Sequence, residues 1–275
     1  MSPLIDLKLY LLAHGIVIDP KAEEVWRERF DGPMTLNEYA STSGICVYTK
    51  DDVYMNVPFI EAFAHDSLAR FLFDNAGNSF AIEYAGVTTP VSVVPVPGYH
   101  KQTYRDGERN LPYTNLGVTH TDRCRISPIE GCGGVCTFCD LPFDFKYRKK
   151  PPKELVNVLR IAKEDKLAPA RHILISGGTP KPEDEGWIDE VYARVARESP
   201  LPVDVMMPPR QDMRYPAWLR SVGVNMVSIN LEVYDWDRAR RITPNKARLF
   251  GRDFYLDYIA KAVQDGISAA MRPVV

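Results

Sequence analysis

The chain is short of net charge, of long apolar runs and of cysteine, and each shortage removes a class of function. Its 34 Lys and Arg nearly balance 36 Asp and Glu, leaving a formal charge of −2. No basic face therefore argues for nucleic acid, and no acidic tail argues for a basic partner. No apolar run approaches the length that crosses a bilayer, and the start Met1-Ser-Pro-Leu-Ile-Asp lacks a basic segment followed by an apolar one. No membrane association and a cytoplasmic location are expected. There are only five cysteines, an odd number, three of them between positions 132 and 139. That is a metal pattern rather than a disulfide framework. The other two, Cys46 and Cys124, read as small buried hydrophobes and are too few for a second four-cysteine cluster. What remains is ordinary: 275 residues, 45% hydrophobic and 25% charged, enough for one large domain or a large one plus a small one.

Residues 1–115 read as a small α+β domain of unknown role. Helical patterns run from Leu4 to Leu12 and from Ala22 to Phe30, followed by strand-like runs at Ile45–Thr49, Val53–Val57, Phe80–Tyr84 and Val91–Val94. Asp51-Asp52 and Asn75–Asn78 are turns, and Pro95, Pro97, Gly98 and the polar stretch Lys101–Asn110 mark a linker. Residues 116–275 are more regular. Strands are expected at Arg125–Ile129, His172–Ile175, Pro202–Met207, Val224–Leu231 and Ser268–Val275, with helices at Lys153–Glu164, Trp187–Arg197, Pro216–Val222 and Asp253–Gln264 between them. Such alternation predicts an α/β fold with a parallel sheet and right-handed crossovers, open or closed into a barrel. Functional residues of such folds gather at the C-terminal ends of the strands.

The chemistry concentrates in Cys132-Gly-Gly-Val-Cys136-Thr-Phe-Cys139, which follows the first of these strands. A closed zinc site wants four protein ligands, whereas a [4Fe–4S] cluster held by three cysteines keeps one iron open. Gly131, Gly133 and Gly134 let the backbone wrap a bulky inorganic group. The alternative is a zinc-binding structural module completed by Cys124 or by a distant histidine, His120 and His172 being the nearby ones. Ser176-Gly177-Gly178-Thr179-Pro180 closes the second strand, and its Gly-Gly pair permits close backbone approach. Asn230-Leu231-Glu232 closes the fourth, where alternation places Asn230 and Glu232 on one side. A basic stretch follows: Arg238, Arg240, Arg241, Lys246, Arg248 and Arg252.

With Phe138 before the last cysteine, the segment from about 120 to 275 resembles the core of radical S-adenosylmethionine (SAM) enzymes, within them the biotin synthase-like and lipoyl synthase-like group. The resemblance implies a partial (β/α) TIM-type barrel, a [4Fe–4S] cluster on Cys132, Cys136 and Cys139, and SAM chelated to the open iron. It implies an enzyme in which one-electron cleavage of SAM yields a 5′-deoxyadenosyl radical that takes hydrogen from a substrate. Ser176, Gly177, Gly178 and Thr179 match the family's SAM turn, and Asn230 with Glu232 resembles its ribose-binding Asn-Leu-Asp stretch, Glu standing for Asp. Arg248 or Arg252 is the expected partner of the methionine carboxylate, and Phe138 with Val205, Met206 and Met207 the expected adenine packing. Arg210 is a candidate to face substrate. A small-molecule substrate and an electron donor of the flavodoxin or ferredoxin type follow from the resemblance. The spare cysteines do not provide the sacrificial cluster of sulfur insertion, which favours a rearrangement, bond formation or dehydrogenation, within the oxidoreductase and transferase classes. The sequence ends at Val275, inside the fifth expected strand, which leaves as readings a fragment, a second polypeptide completing the barrel, an N-terminal domain covering the open edge, or a cluster-bearing subunit of a split enzyme.

Overall fold

The structure, a computed structural model, describes residues 3–30, 34 and 44–273. Val274 and Val275, the end of the last expected strand, lie outside the described residues. The chain divides into two compact units: Met1–His100 with His120–Asp122 and Asp165–Pro169, and Lys101–Thr119 with Arg123–Glu164 and Ala170–Val275.

The first unit opens with α1 (Pro3–His14), which buries Leu7 and Leu11. After β1 (Val17–Ile18) comes α2 (Pro20–Arg29), started by Asp19, whose side chain accepts the Lys21 N–H at 2.9 Å, and by Pro20 in its first turn. The strands β2 (Gly44–Tyr48), β3 (Tyr54–Pro58), β4 (Arg70–Asp74), β5 (Ser79–Tyr84) and β6 (Val87–Val93) join β1 in a sheet ordered β1-β4-β5-β6-β2-β3. Here β1 pairs with β4 in parallel; the other recorded pairs are antiparallel hairpin partners or β2 with β6. The core is Leu11, Ile16, Trp26, Ile45, Val47, Met55, Val57, Phe71 and Ile82. β4 was not legible as a strand: Phe71 faces the core while Leu72 and Phe73 are both half-buried, so the run shows no alternation.

The second unit begins with a hairpin, β7 (Thr103–Asp106) on β8 (Arg109–Pro112), where the sequence suggested a linker. Then come β9 (Gly117–His120), β10 (Arg123–Ile126), the two-residue pair β11 (Ile129–Glu130) and β12 (Arg148–Lys149), and the short α3 (Leu141–Asp144) between them. From there helices and strands alternate: α4 (Pro152–Glu164), β13 (His172–Ile175), α5 (Glu185–Glu198), β14 (Val203–Met207), α6 (Tyr215–Ser221) and β15 (Met226–Glu232). The last crossover carries three helices, α7 (Trp236–Ile242), α8 (Pro244–Leu249) and α9 (Arg252–Gln264), before β16 (Ser268–Pro273).

The sheet order is β16-β15-β14-β13-β10-β9, and β10, β13, β14, β15 and β16 pair in parallel, neighbour to neighbour. This is the partial barrel of an α/β fold. Register explains its core: Ile126, Ile175, Val205, Val227 and Ala269 stand side by side across five strands. The first four are fully buried. Leu155, Val158, Leu159 and Ala162 of α4, and Ile188, Val191 and Val195 of α5, are buried at the spacing the sequence showed. On the opposite strand face Met206 stands beside Ser228 and Ser228 beside Ala270. β10 ends earlier than expected, at Ile126, because Pro128 cannot donate to a ladder.

Candidate active site

The C-terminal ends of the parallel strands converge on the cysteine loop. It leaves β11 through Gly131, held at φ 69°, where other residues are strained. The turn after β13 docks directly against it. A Cβ on Gly178 would lie 2.1 Å from the Gly131 carbonyl oxygen and 2.8 Å from Cys132 Cα, so only glycine permits this approach. Gly177 has φ 146°, and a Cβ there would meet Ser127 Oγ at 2.1 Å. Across the contact, Gly133 N–H donates to Thr179 O at 2.8 Å. Cys132 Sγ accepts the N–H of Thr179 at 3.1 Å and of Gly134 at 3.3 Å. Two motifs some way apart in sequence are thus one piece of structure. Ser176, whose N–H donates to Ile126 O at 2.9 Å, is buried and turns its hydroxyl to Met206 Sδ at 3.5 Å.

The other flank of the loop is held by the junction of α7 and α8. Thr137 N–H donates to Ile242 O at 2.9 Å, and Val135 N–H to Asn245 Oδ1 at 3.2 Å. All three thiols are half-buried. Burial pushes the Cys136 thiol up from its ordinary range, with Lys246 opposing and the neighbouring Cys132, Glu232 and Cys139 adding to it. Phe138 exposes about half of its surface, 49%.

Glu232 departs from the alternation the sequence suggested. The register with β16 shifts between Ile229 and Glu232, and Glu232 itself sits at φ 65°. Leu231 and Glu232 are therefore both buried, with Asn230 half-buried. Glu232 is 8% exposed, and its carboxylate pairs with Lys246 Nζ at 2.7 Å. A buried ion pair returns little net stability, yet losing one partner strands a charge. Lys246, in sequence one cation of the basic stretch, is thus the cation paired at this site, its side chain 14% exposed. Neither expected arginine takes that place. Arg252 pairs with Asp253 at 3.3 Å and lies over the Tyr234 ring at 5.2 Å, and Arg248 has no recorded ion pair among the described residues. Arg210 pairs with Glu185 at 2.5 Å and Asp189 at 3.1 Å and lies over the Tyr215 ring at 5.1 Å. Val205 and Met207 are buried in the row that faces the helices, leaving Met206 as the methionine on the site's side of β14.

A support that sequence reasoning missed lies behind the loop. Tyr147 OH donates to Asp184 Oδ2 at 2.8 Å, Lys149 Nζ reaches Asp184 Oδ1 at 2.9 Å, and Lys181 N–H donates to Tyr147 OH at 3.1 Å. The bonds from Lys149 and Tyr147 hold the Asp184 carboxyl below its usual range. This network ties the exit of the cysteine segment to the exit of the Gly-Gly turn, and no local motif announces it.

Among the described residues no three His, Cys, Asp or Glu side chains converge as a single metal ion requires. A cubane makes no such demand, since each cysteine binds a different iron. The chemistry of the donor set fits a cluster: three sulfurs share one loop, two backbone N–H groups point at the Cys132 sulfur, and glycines clear the backbone around it.

The Radical SAM superfamily profile matches residues 126–271. Among solved structures the chain is similar to methylornithine synthase PylB, at 21% identity and TM-score 0.44, over 54% of this chain and 43% of that one. It is also similar to the FeFe-hydrogenase maturase HydG from Carboxydothermus hydrogenoformans, at 15% identity and TM-score 0.45, over 54% and 35%. The chain thus spans less than half the length of these relatives. No curated protein matches the sequence.

Proposed function

Because the chain belongs to the radical SAM superfamily, whose proteins use a [4Fe–4S] cluster and SAM, we propose that Cys132, Cys136 and Cys139 anchor that cluster here. Bound together, the two cofactors supply a 5′-deoxyadenosyl radical able to take hydrogen from an unactivated C–H bond. The protein's part is to bind, orient and dry the site. The observation that carries the reading is the docking of the Gly-Gly turn on the cysteine loop, with Thr179 N–H on the Cys132 sulfur.

Thr179 and Gly134 stabilise the Cys132 thiolate through backbone N–H groups. Gly177 and Gly178 bring strand-end backbone close enough to accept hydrogen bonds from the SAM ammonium, with Ser176 fixing the turn's start. Asn230 and Glu232 serve the ribose hydroxyls. Lys246, rather than Arg248 or Arg252, supplies the cation for the methionine carboxylate, its charge held in place by Glu232. Phe138 offers an exposed ring face to adenine.

The substrate is a small molecule, and the outcome is a rearrangement, bond formation or dehydrogenation. Electrons come from a flavodoxin- or ferredoxin-type donor. Cys46 and Cys124 are both buried, 7% and 0% exposed, which supports a single cluster over a sulfur-inserting pair.

The test is anaerobic reconstitution. Dithionite and SAM should yield 5′-deoxyadenosine and methionine, and Cys136→Ala should lose both the cubane spectrum and the products. Lys246→Met should weaken SAM binding roughly tenfold or more, on the order of 1.5–3 kcal/mol for a lost charged hydrogen bond, with cluster content intact. Loss of the cluster in Lys246→Met would refute its assignment to SAM.

A further inference from the structure

The turn Ser176–Pro180 is tied to its surroundings at its start, its middle and its end. At the start Ser176 N–H donates to Ile126 O at 2.9 Å. In the middle Thr179 N–H donates to the Cys132 sulfur at 3.1 Å, and Thr179 O accepts from Gly133 N–H at 2.8 Å. Pro180 has no N–H, so the next backbone donor is Lys181, which gives its hydrogen to Tyr147 OH at 3.1 Å. Tyr147 stands at the root of the cysteine loop. The antiparallel pair of β11 and β12 sets Glu130 opposite Arg148, which lays the Tyr147 backbone against Gly131. A Cβ on Gly131 would come within 3.1 Å of both Tyr147 N and Tyr147 Cα. One side chain therefore starts beside the residue before Cys132 and ends on the backbone that leaves the Gly-Gly turn.

The hydroxyl is fixed through both of its capacities. It donates to Asp184 Oδ2 at 2.8 Å while it accepts from Lys181 N–H. Asp184, at the start of α5, is held in turn by Lys149 Nζ at 2.9 Å. The Lys181 ammonium lies over the Tyr147 ring at 4.7 Å, a contact that a phenylalanine ring would keep. The ties at the start and middle of the turn run between backbone groups or to a cysteine of the loop; the tie at its end hangs on a single phenolic oxygen. Resting on the assignment of the turn to SAM and of the cysteine loop to the cluster, we propose that Tyr147 is a positioning residue whose hydroxyl fixes the separation between the cluster loop and the SAM turn. Two surfaces that share one ligand must stand at one separation, and a misplacement of about 1 Å is enough to lose much of the gain from orientation. Asp184 keeps the hydroxyl aimed, so the strut does not depend on the ring alone.

Tyr147→Phe removes one oxygen and keeps the ring beneath Lys181. In the chain without cofactors, hydrogen exchange should quicken across Ser176–Asp184 and stay slow in α5. In the anaerobically reconstituted chain the cubane absorbance should equal the wild type's. The dissociation constant for SAM should rise roughly threefold to tenfold, the factor that one hydrogen bond is worth. Saturating SAM should also produce a different electron paramagnetic resonance signal from the reduced cluster than it does in the wild type, which a loss of general stability would not. Lys149→Met removes the ammonium from Asp184 without touching the tie to Lys181, and should leave SAM affinity unmoved. An unmoved SAM affinity in Tyr147→Phe overturns the inference, as does equal weakening in Lys149→Met. Loss of the cubane in Tyr147→Phe overturns it too, because the hydroxyl would then hold the cysteine loop rather than the spacing. A wild-type chain that takes up no cubane, or takes it up and ignores SAM, refutes the assignments beneath the inference. That result is separable from the others, because exchange in the unloaded chain reads the tie without either cofactor.

Discussion

The two units of the chain handle backbone strain differently. In the sheet of the first unit, the non-glycine residues at positive φ are Asp52, Asn78 and Ala85, each in a tight turn between consecutive strands, and Thr121 plays the same part between β9 and β10. There a left-handed residue is simply what the connection requires. Glu232 is of another kind: it stands at the end of a parallel strand, buried and ion-paired with Lys246. The first unit uses unusual backbone to close hairpins around a completed apolar core; the second uses it to aim polar groups at one point. Strain of this second kind persists only where the surroundings over-determine it, and it marks sites.

The sharpest way to break the contrast is to add a single carbon where the strand ends meet. Gly178→Ala places a Cβ 2.1 Å from the Gly131 carbonyl oxygen, with backbone rather than a flexible side chain in the way. The turn and the cysteine loop then have to part, and Thr179 N–H leaves Cys132. The variant should lose most of its cubane absorbance after reconstitution. Gly186→Ala, on α5 with open space around the added carbon, is the control and should gain about 1 kcal/mol in thermal unfolding from helix propensity alone. Full cluster loading in Gly178→Ala would show that the docking is incidental.

The converse change belongs to the first unit. Phe71 is fully buried and stacks on Phe80 at 5.0 Å with an 11° interplanar angle. Phe71→Ala should cost about 3–5 kcal/mol in the unfolding of that unit, as large-to-small core changes do. Its cubane spectrum and its cleavage of SAM should survive. A parallel loss of both would mean that the first unit's core is needed to form the site.

These two variants also divide what the sequence made legible. The cysteine spacing, Ser176–Pro180, and the apolar periods of α4 and α5 are local patterns, and local patterns survive reading in one dimension. Lys246 was not legible. In sequence it is one cation among Arg238, Arg240, Arg241, Arg248 and Arg252, and only the fold, by bringing α8 against the end of β15, separates it from the pairs Arg238–Asp235 and Arg240–Asp237 at the surface. Glu232 was named, but its direction came from an alternation that a bulge interrupts. The hairpin of β7 and β8 looked like a linker since its strands are polar, with Tyr104 alone buried.

The smallest expected effect separates the units by pH. Each buries a base. Burial pushes the His100 pKa from 6.5 down to about 4, against the opposing pull of Asp165, and pushes Lys150 from 10.5 down to about 8, against Glu130. A base with a lowered folded pKa binds fewer protons folded than unfolded, in the window between the two values, so stability rises with pH there, by at most about 1.4 kcal/mol per pH unit. His100 therefore makes the first unit gain stability from about pH 4 to 6.5, and Lys150 makes the second gain from about pH 8 to 10.5. Hydrogen exchange read separately on the two units should show His100→Asn flattening the acid slope of the first alone, and Lys150→Met flattening the alkaline slope of the second alone. If either substitution flattened the slope of the other unit, the two would unfold as one, and the contrast between a finished core and a strained site would describe surfaces of a single cooperative body.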